Sequence, residues 1–292
     1  MDTTDLRVFE AVARLGGMGR AAAELNTVQS NVTARIRALE AELGLALFDR
    51  HARGVTLTAA GRRLLPYAER AQRLVAEAAA AARDDGTPRG PLAIGSLETT
   101  AAMHLAPMLA AYAKAHPEVD LVLRTGTTRE MVEEVLAERV DGAFACGPVE
   151  HADLVTELAY REELALMAAP GIRDAAAALA PEGMRIIVLR AGCSYRQRLE
   201  ALLARRGVVG PRVLEFGTLE AIFGAVEAGL GVTLLPVRLV PRVLAAGRLA
   251  VHRLPPAEAM VETVFVRRRE ARVSSALAAF LDQARRRPAV AA

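Results

Sequence analysis

The sequence predicts an α/β chain in three parts: an N-terminal winged helix-turn-helix, a long linker helix, and a C-terminal α/β domain of two lobes. Three features of its 292 residues predict this. Three short helical patterns and a small alternating hairpin fill the first 58 residues. One uninterrupted helical pattern then runs to about Arg83. Beyond a stretch of turn residues, 84–91 (DDGTPRGP), apolar strands alternate with helices, the order that builds a parallel sheet. A chain of this length is expected to hold two or more domains.

Thr4 is placed to cap a first helix over 5–15, with Leu6, Phe9 and Val12 or Ala13 on its apolar face. Gly16 and Gly17 end it. A second helix spans about 19–25, Asn26 and Thr27 make a tight turn, and a third helix spans about 28–43, stopped by Gly44. Val32, Ile36, Leu39 and Leu43 fall on one stripe of that helix. Residues 45–48 and 50–58 read as a hairpin turning at Arg53-Gly54, because Val55 and Leu57 alternate with Thr56 and Thr58. Thr58 caps the long helix to about 83. Along it Leu64, Ala68, Ala71, Val75, Ala78 and Ala82 recur at heptad spacing, a small-residue seam suited to a second chain; packing on its own domain is the alternative. Pro66 interrupts one hydrogen bond of this helix or kinks it.

After the linker, strands are expected at 91–95, 119–123, 143–146, 185–189, 212–216 and 232–235. Helices are expected up to His116 and over 129–138, 196–206 and 219–228. Extended segments 163–168 and 262–267 read as the exit from the first lobe and the return to it, which a last helix, 274–286, completes. The layout is 1–58 for the winged helix-turn-helix (helix-turn-helix about 18–37) and 59–89 for the linker/dimerisation helix and linker. The two-lobed domain takes 90–292, lobe I being about 90–161 with 268–292 and lobe II about 162–267.

Composition points away from export, membranes and catalysis. No apolar run approaches the ~20 residues of a membrane span. Asp2 and Asp5 open a terminus with no apolar signal core, so the cytoplasm is the expected location. Cys146 and Cys193 form no disulfide framework or metal motif; two reduced, partly buried thiols are expected, with redox sensing as the alternative. The histidines fall at no metal-ligand spacing. Gly229-Leu230-Gly231 lacks a third glycine and lies between a helix and a strand, the reverse of a dinucleotide motif. No nucleophile elbow or phosphate loop occurs. No catalytic residue, metal or cofactor is therefore expected.

Charge is more informative by position than in total. The net charge is +3, but residues 20–73 hold nine arginines against five acids, +4 in that segment. A local basic surface suits phosphates. With Val32 facing the core, Ser30, Thr33, Ala34 and Arg37 turn away from it and Gln29 sits at the open end, as on a helix that reads the major groove. Gln29, Ser30, Thr33, Arg35 and Arg37 are the expected DNA-binding set, with Arg53 at the hairpin tip reaching a flanking phosphate. An ordinary solvated face is the alternative.

Residues 1–65 resemble the DNA-binding domain of LysR-type transcriptional regulators. The resemblance rests on Leu6 and Phe9; Arg20-Ala21-Ala22 with Leu25; Gln29, Val32 and Thr33; Ile36, Arg37, Leu39 and Glu40; Leu43-Gly44, Leu47-Phe48 and Arg50; and Leu57-Thr58 with Ala60-Gly61. Ala228-Gly229-Leu230-Gly231-Val232, ending at Leu235-Pro236, resembles a signature of the family's second lobe. The resemblance implies a regulator with a dimerising linker helix, an effector domain like the periplasmic binding proteins, and a second interface that makes a tetramer of two dimers. Three positions depart from the family. Val28 replaces a hydroxyl residue, leaving Thr27 as the cap; Ser30 stands where many relatives have Pro; and Ala34 stands where many have Arg, so one base contact is missing.

In two-lobed α/β domains, ligands sit beyond the carboxyl ends of strands, at helix N-termini. Hydroxyl residues gather there, and Ser96, Thr99, Thr100, Thr125, Thr128, Ser194 and Thr218 are the expected effector-binding set, although each alone reads as a helix cap. Free amides in the 96–100 loop favour a carboxylate, with Ser96 and Thr100 facing Ser194 and Thr218. Glu98 opposes an anion unless it points to solvent or pairs with an arginine such as Arg196. The expected partners are double-stranded DNA carrying an interrupted palindromic operator, a small-molecule effector, further copies of the chain, and RNA polymerase. The rivals are a thiol-based redox regulator on the same scaffold, an exported solute-binding protein, and a cytosolic enzyme.

Overall fold

The structure is a computed structural model that describes residues 1–51, 54–179, 185–239 and 249–286. The chain forms two compact units, Met1–Asp84 and Asp85–Ala292.

In the first unit, α1 (Thr3–Leu15), α2 (Met18–Glu24) and α3 (Gln29–Leu43) precede an antiparallel hairpin, β1 (Phe48–His51) with β2 (Gly54–Leu57), and then α4 (Ala59–Arg83). Phe9, Val12, Ala21, Val32, Ile36, Leu39 and Leu47 form the core, joined by Ala68 of α4. The first cap is Asp2, not Thr4. Its carboxylate accepts from the Asp5 amide at 2.8 Å and Asp5 returns a bond to the Asp2 amide at 3.0 Å. Two acids at a helix N-terminus also suit its dipole. Gly16 ends α1 in the left-handed region at φ 66°, and its carbonyl accepts from Val55 of the hairpin at 3.2 Å. A Cβ at Gly54 would lie 2.5 Å from that carbonyl oxygen, so this close approach requires glycine.

Three local expectations are corrected. Val28, not Thr27, is the residue before α3, and it supplies no side-chain cap; the Thr27 hydroxyl accepts from Asn31 Nδ2 at 3.0 Å instead. The apolar stripe of α3 ends at Leu39, because Leu43 is exposed. The first hairpin strand starts at Phe48, three residues late, because Glu40 holds the approach: its carboxylate accepts from the amides of Leu47 at 2.8 Å and Phe48 at 3.2 Å. Thr58 does cap α4, accepting from Gly61 at 3.0 Å. Arg53, at the expected hairpin tip, lies outside the described residues.

In the second unit, β3 (Gly90–Leu97) pairs in parallel with β4 (Val119–Gly126) and β5 (Gly142–Cys146). The sheet is not parallel throughout. β11 (Met260–Arg268) runs antiparallel to β5 and to the fifteen-residue β6 (Leu154–Ala168). β6 continues into the second lobe, where β9 (Thr233–Pro236) and β10 (Ala250–Arg253) pair antiparallel with its far end. β7 (Arg185–Val188) and β8 (Arg212–Glu215) are parallel to one another. The Ile187 amide joins them to Val232 at 2.8 Å. The long pair β6–β11 is thus the link between lobes, as exit and return segments require.

The helical side of lobe I starts with α5 (Glu98–Thr100), passes a π-helical turn (Ala101–Leu105) and continues as α6 (Ala106–Ala115). α7 (Thr128–Leu136) follows β4. The C-terminal helix Ser275–Arg286 closes this lobe: Tyr112 donates to the Ala276 carbonyl at 2.8 Å, and Phe280 packs with Phe144 and Phe265. Lobe II is built on α8 (Ala175–Ala178), α9 (Ser194–Arg205) and α10 (Leu219–Glu227) around Ile186, Leu199, Leu202, Ile222 and Val226.

Candidate functional site

On α3, Gln29, Ser30, Ala34 and Arg37 are exposed and Thr33 is half-buried. The Gln29 amide oxygen lies over α2, where a Cβ at Gly19 would meet it at 3.1 Å. Arg35 differs from the rest of the expected set. Its guanidinium donates to Asp5 at 2.8 Å, tying α3 to the start of α1. The expected seam on α4 also divides. Ala68 is fully buried within its own unit and leaves no surface for a second chain, and Leu64 packs on the same core. Farther along, Leu74, Val75 and Ala78 are exposed, and Ala71 is half-buried.

In the second unit a cleft of about 500 Å³, counting its open mouth, lies between the lobes. Lobe I contributes Leu97 at the end of β3 with Glu98 and Thr99 after it, the segment from Thr125 to Thr128 at and beyond the end of β4, and Cys146 at the end of β5. Lobe II contributes Leu189 and Arg190 after β7, then Cys193, Ser194 and Tyr195, and Gly217 before α10. Strand ends and helix starts therefore converge, as the sheet topology dictates.

Two helix N-termini meet in this cleft. α7 starts at Thr128 behind a capping box, Thr127 with Glu130, and α9 starts at Ser194. The Ser194 hydroxyl donates to Thr128 Oγ1 at 2.9 Å, and that oxygen also accepts from the Cys146 amide at 3.1 Å. Each helix start presents partial positive charge to this space, which at α7 the capping carboxylate of Glu130 partly offsets. The lobes also approach at Gly192, φ 96°, where a Cβ would lie 2.9 Å from Thr127 Oγ1. The Thr127 amide holds the Glu130 carboxyl below its usual range, and Arg190 lies 3.7 Å from that carboxylate.

Behind the cleft wall is a buried polar chain. Thr99 donates to the Tyr195 hydroxyl at 3.5 Å, and Tyr195 donates to Glu162 at 3.3 Å. Glu162 also accepts from Thr263 at 3.2 Å and contacts His104 Nε2 at 2.9 Å. His104 stacks on Tyr160 at a centroid distance of 4.0 Å. Burial, reinforced by the Glu162 charge, pushes the Tyr195 phenol well above its ordinary range, so it acts as a neutral donor. Burial also raises the thiols of Cys146 and Cys193. That opposes the thiolate character a redox sensor needs.

Of the expected effector residues, the cleft brings together Thr99, Thr125, Thr128 and Ser194. Three expectations are corrected. Ser96 is fully buried and donates to the Leu97 carbonyl at 2.9 Å, because β3 runs two residues beyond its expected end. Thr100 is fully buried in the helical turn, and its hydroxyl has no partner among the described residues. Thr218 is exposed and caps α10, accepting from Ala221 at 3.3 Å. Arg196 is not the partner of Glu98; it pairs with Glu200 and Glu215, each at 3.0 Å. Thr127 and Tyr195, from the same strand-end loops, also line the cleft, and so does Arg190, which the sequence does not single out. The turn residues of their loops were the available signal. Among the described residues, no side-chain cluster could hold a metal ion, and no helix is long and apolar enough to cross a membrane.

Residues 3–62 match the family model of bacterial regulatory helix-turn-helix proteins of the lysR family, and residues 85–289 match the LysR substrate binding domain. The chain is 45% identical over 282 residues to the uncharacterized HTH-type transcriptional regulator YusT of Bacillus subtilis (strain 168), covering 97% of this chain and 95% of that protein. It is 41% identical over 280 residues to the HTH-type transcriptional regulator GltR of the same organism, covering 96% and 95%. Among solved structures, full-length CbnR complexed with its target DNA superposes with a TM-score of 0.70 at 26% identity, covering 98% of this chain and 99% of that one. A full-length OxyR variant from Pseudomonas aeruginosa gives 0.69 at 20% identity over 99% and 96%, a likeness of fold alone.

Proposed function

Because the chain belongs to the LysR family of bacterial helix-turn-helix transcription regulators, we propose that a small carboxylate metabolite held between its lobes sets its activity on DNA. It is a DNA-binding regulator with an effector-binding domain. The observation that carries the carboxylate is the convergence of the α7 and α9 N-termini on one cleft, with Thr128 and Ser194 bonded across it. A carboxylate entering there meets the positive ends of two helices and the Thr128 hydroxyl, which accepts from Ser194 and Cys146 and keeps its own proton to donate. Thr125 supplies a further polar contact on the lobe I side, while Thr99 holds the Tyr195 hydroxyl behind it. An effector that binds the closed lobes more tightly than the open ones shifts that equilibrium, and operator affinity with it.

On the DNA side, Gln29, Ser30, Thr33 and Arg37 face base edges and phosphates, while Arg35 holds α3 against α1 through Asp5. Two such helices in a two-fold dimer enter successive major grooves ~34 Å apart, so the operator is an interrupted palindrome. The dimer forms along α4 through Ala71, Val75 and Ala78, and a second interface between effector domains makes a tetramer. RNA polymerase is a further partner, and the protein works in the cytoplasm. No catalytic step, metal or cofactor belongs to this reading.

A genome-wide map of binding sites tests it: sites should be interrupted palindromes, and the adjacent operon identifies the effector. With that effector, Thr128→Val and Ser194→Ala should each reduce sensitivity at least tenfold, relative to each variant's own effector-free operator binding. Wild-type sensitivity in both removes this cleft as the effector site.

A further inference from the structure

We propose that the effector is a zwitterion, carrying a protonated amine besides its carboxylate, and that Glu98 receives the amine. The inference rests on the cleft being the effector site. Glu98 opens α5, lines the cleft and is half-buried. Its carboxylate meets the Leu219 amide at the start of α10; the neighbouring charge of Glu220 repels it, and Arg190 attracts it more weakly without reaching ion-pair distance. Among the described residues no arginine, lysine or histidine nitrogen lies within ion-pair distance of it. The cations that would serve are engaged elsewhere: Arg190 stands 3.7 Å from Glu130, and Arg196 pairs with Glu200 and Glu215. The hydroxyl of Thr99, next in sequence, is directed to Tyr195.

The cleft thus has two electrostatic ends. Thr128, Ser194 and two helix N-termini form a positive end, and Glu98 forms a negative one with no ion-pair partner among the described residues. Burial pushes the Glu98 carboxyl above its usual range, the sign of a charge short of compensation. A ligand with a carboxylate alone satisfies the first end and is repelled by the second. An amine alone does the converse. An ammonium group at hydrogen-bond distance from Glu98 makes a charge-assisted bond in a partly dry site, where such bonds are strongest.

The test uses the full-length protein and matched sets of probes: the common amino acids, their deaminated acids and their decarboxylated amines. Thermal shift selects binders and titration calorimetry gives Kd for wild type and Glu98→Gln. The expected result is an amino acid that binds at least tenfold more tightly than its deaminated acid, with that ratio reduced at least tenfold in Glu98→Gln. Gln has the shape of Glu, and an unfolding transition near wild type confirms that the variant is folded; should it not fold, the wild-type ratio alone decides. A deaminated acid that binds as well as its amino acid overturns the role of Glu98 and leaves the carboxylate reading standing. So does a folded Glu98→Gln protein with wild-type preference. Amines binding without a carboxylate, or no probe binding at all, overturns both.

Discussion

Ser194 and Thr128 are bonded hydroxyl to hydroxyl at 2.9 Å, and each is the first residue of its helix, one from either lobe. Removing either side has unequal consequences. Ser194→Ala loses one neutral hydrogen bond, about 0.5–1.5 kcal/mol. Thr128→Val also strips the Cys146 amide of its acceptor, which costs about 1–3 kcal/mol for a buried donor. Denaturant unfolding of the second unit should therefore rank Thr128→Val as the more damaging change. A double-mutant cycle should give a coupling of about 0.5–1 kcal/mol. Zero coupling means the hydroxyls do not meet in solution.

The elements of this cleft were more legible than its side chains. Helices expected from about 129 and 196 start at Thr128 and Ser194, so periodicity placed the two elements to within two residues and their preceding loops held both hydroxyls. Ser96 could not be placed in this way, because β3 continues through a polar serine to Leu97, and one added strand residue turns a side chain to the other face. The first half of β6, where Glu and Arg interleave with apolar residues, gave no clear apolar run, yet pairing with β11 makes it a strand. The chain from Thr99 through Tyr195 to Glu162 joins residues far apart in sequence, and no local pattern announces such contacts. The seam on α4 shows the converse: periodicity puts Ala68 and Val75 on one face, but that face is buried in its own core at Ala68 and exposed at Val75.

Arg37 and Arg35 should behave differently when truncated. Arg37 is exposed on the outer face of α3, and Arg37→Ala should weaken binding to the mapped operator by roughly 1–3 kcal/mol, with altered preference at one base position. Arg35→Ala breaks the bond to Asp5 and should lower the unfolding temperature of the first unit while leaving base preference as it is. Fluorescence anisotropy on operator variants separates the two. An Arg37→Ala protein with unchanged affinity and preference takes Arg37 off the reading face.

Val75→Glu tests assembly. Val75 is exposed within its own unit, so the substitution costs little in an isolated chain. In a dimer it sets two like charges facing each other in a desolvated seam. Sedimentation should show a smaller particle with an intact circular dichroism spectrum. Wild-type mass in a folded Val75→Glu protein assigns this stripe to a surface that pairs with nothing. Ala68→Glu, by contrast, should damage folding itself, because Ala68 is fully enclosed by its own core.

Glu98 makes stability depend on pH in a direction opposite to most carboxylates. Burial raises its folded pKa above the ordinary glutamate value near 4.5, so between the two values the folded protein binds more protons than the unfolded chain. Stability contributed by this group is then complete below the unfolded pKa and is lost as pH rises through the folded one. Glu98→Gln removes the group. In the absence of ligand it should melt above wild type at pH 7, and the difference should shrink as the pH falls toward 4. The amine of a bound amino acid should reverse the order at pH 7, raising the melting temperature of wild type by more than that of Glu98→Gln. A ligand-free variant that melts with or below wild type at pH 7 shows that the ionised carboxylate is already compensated within the protein.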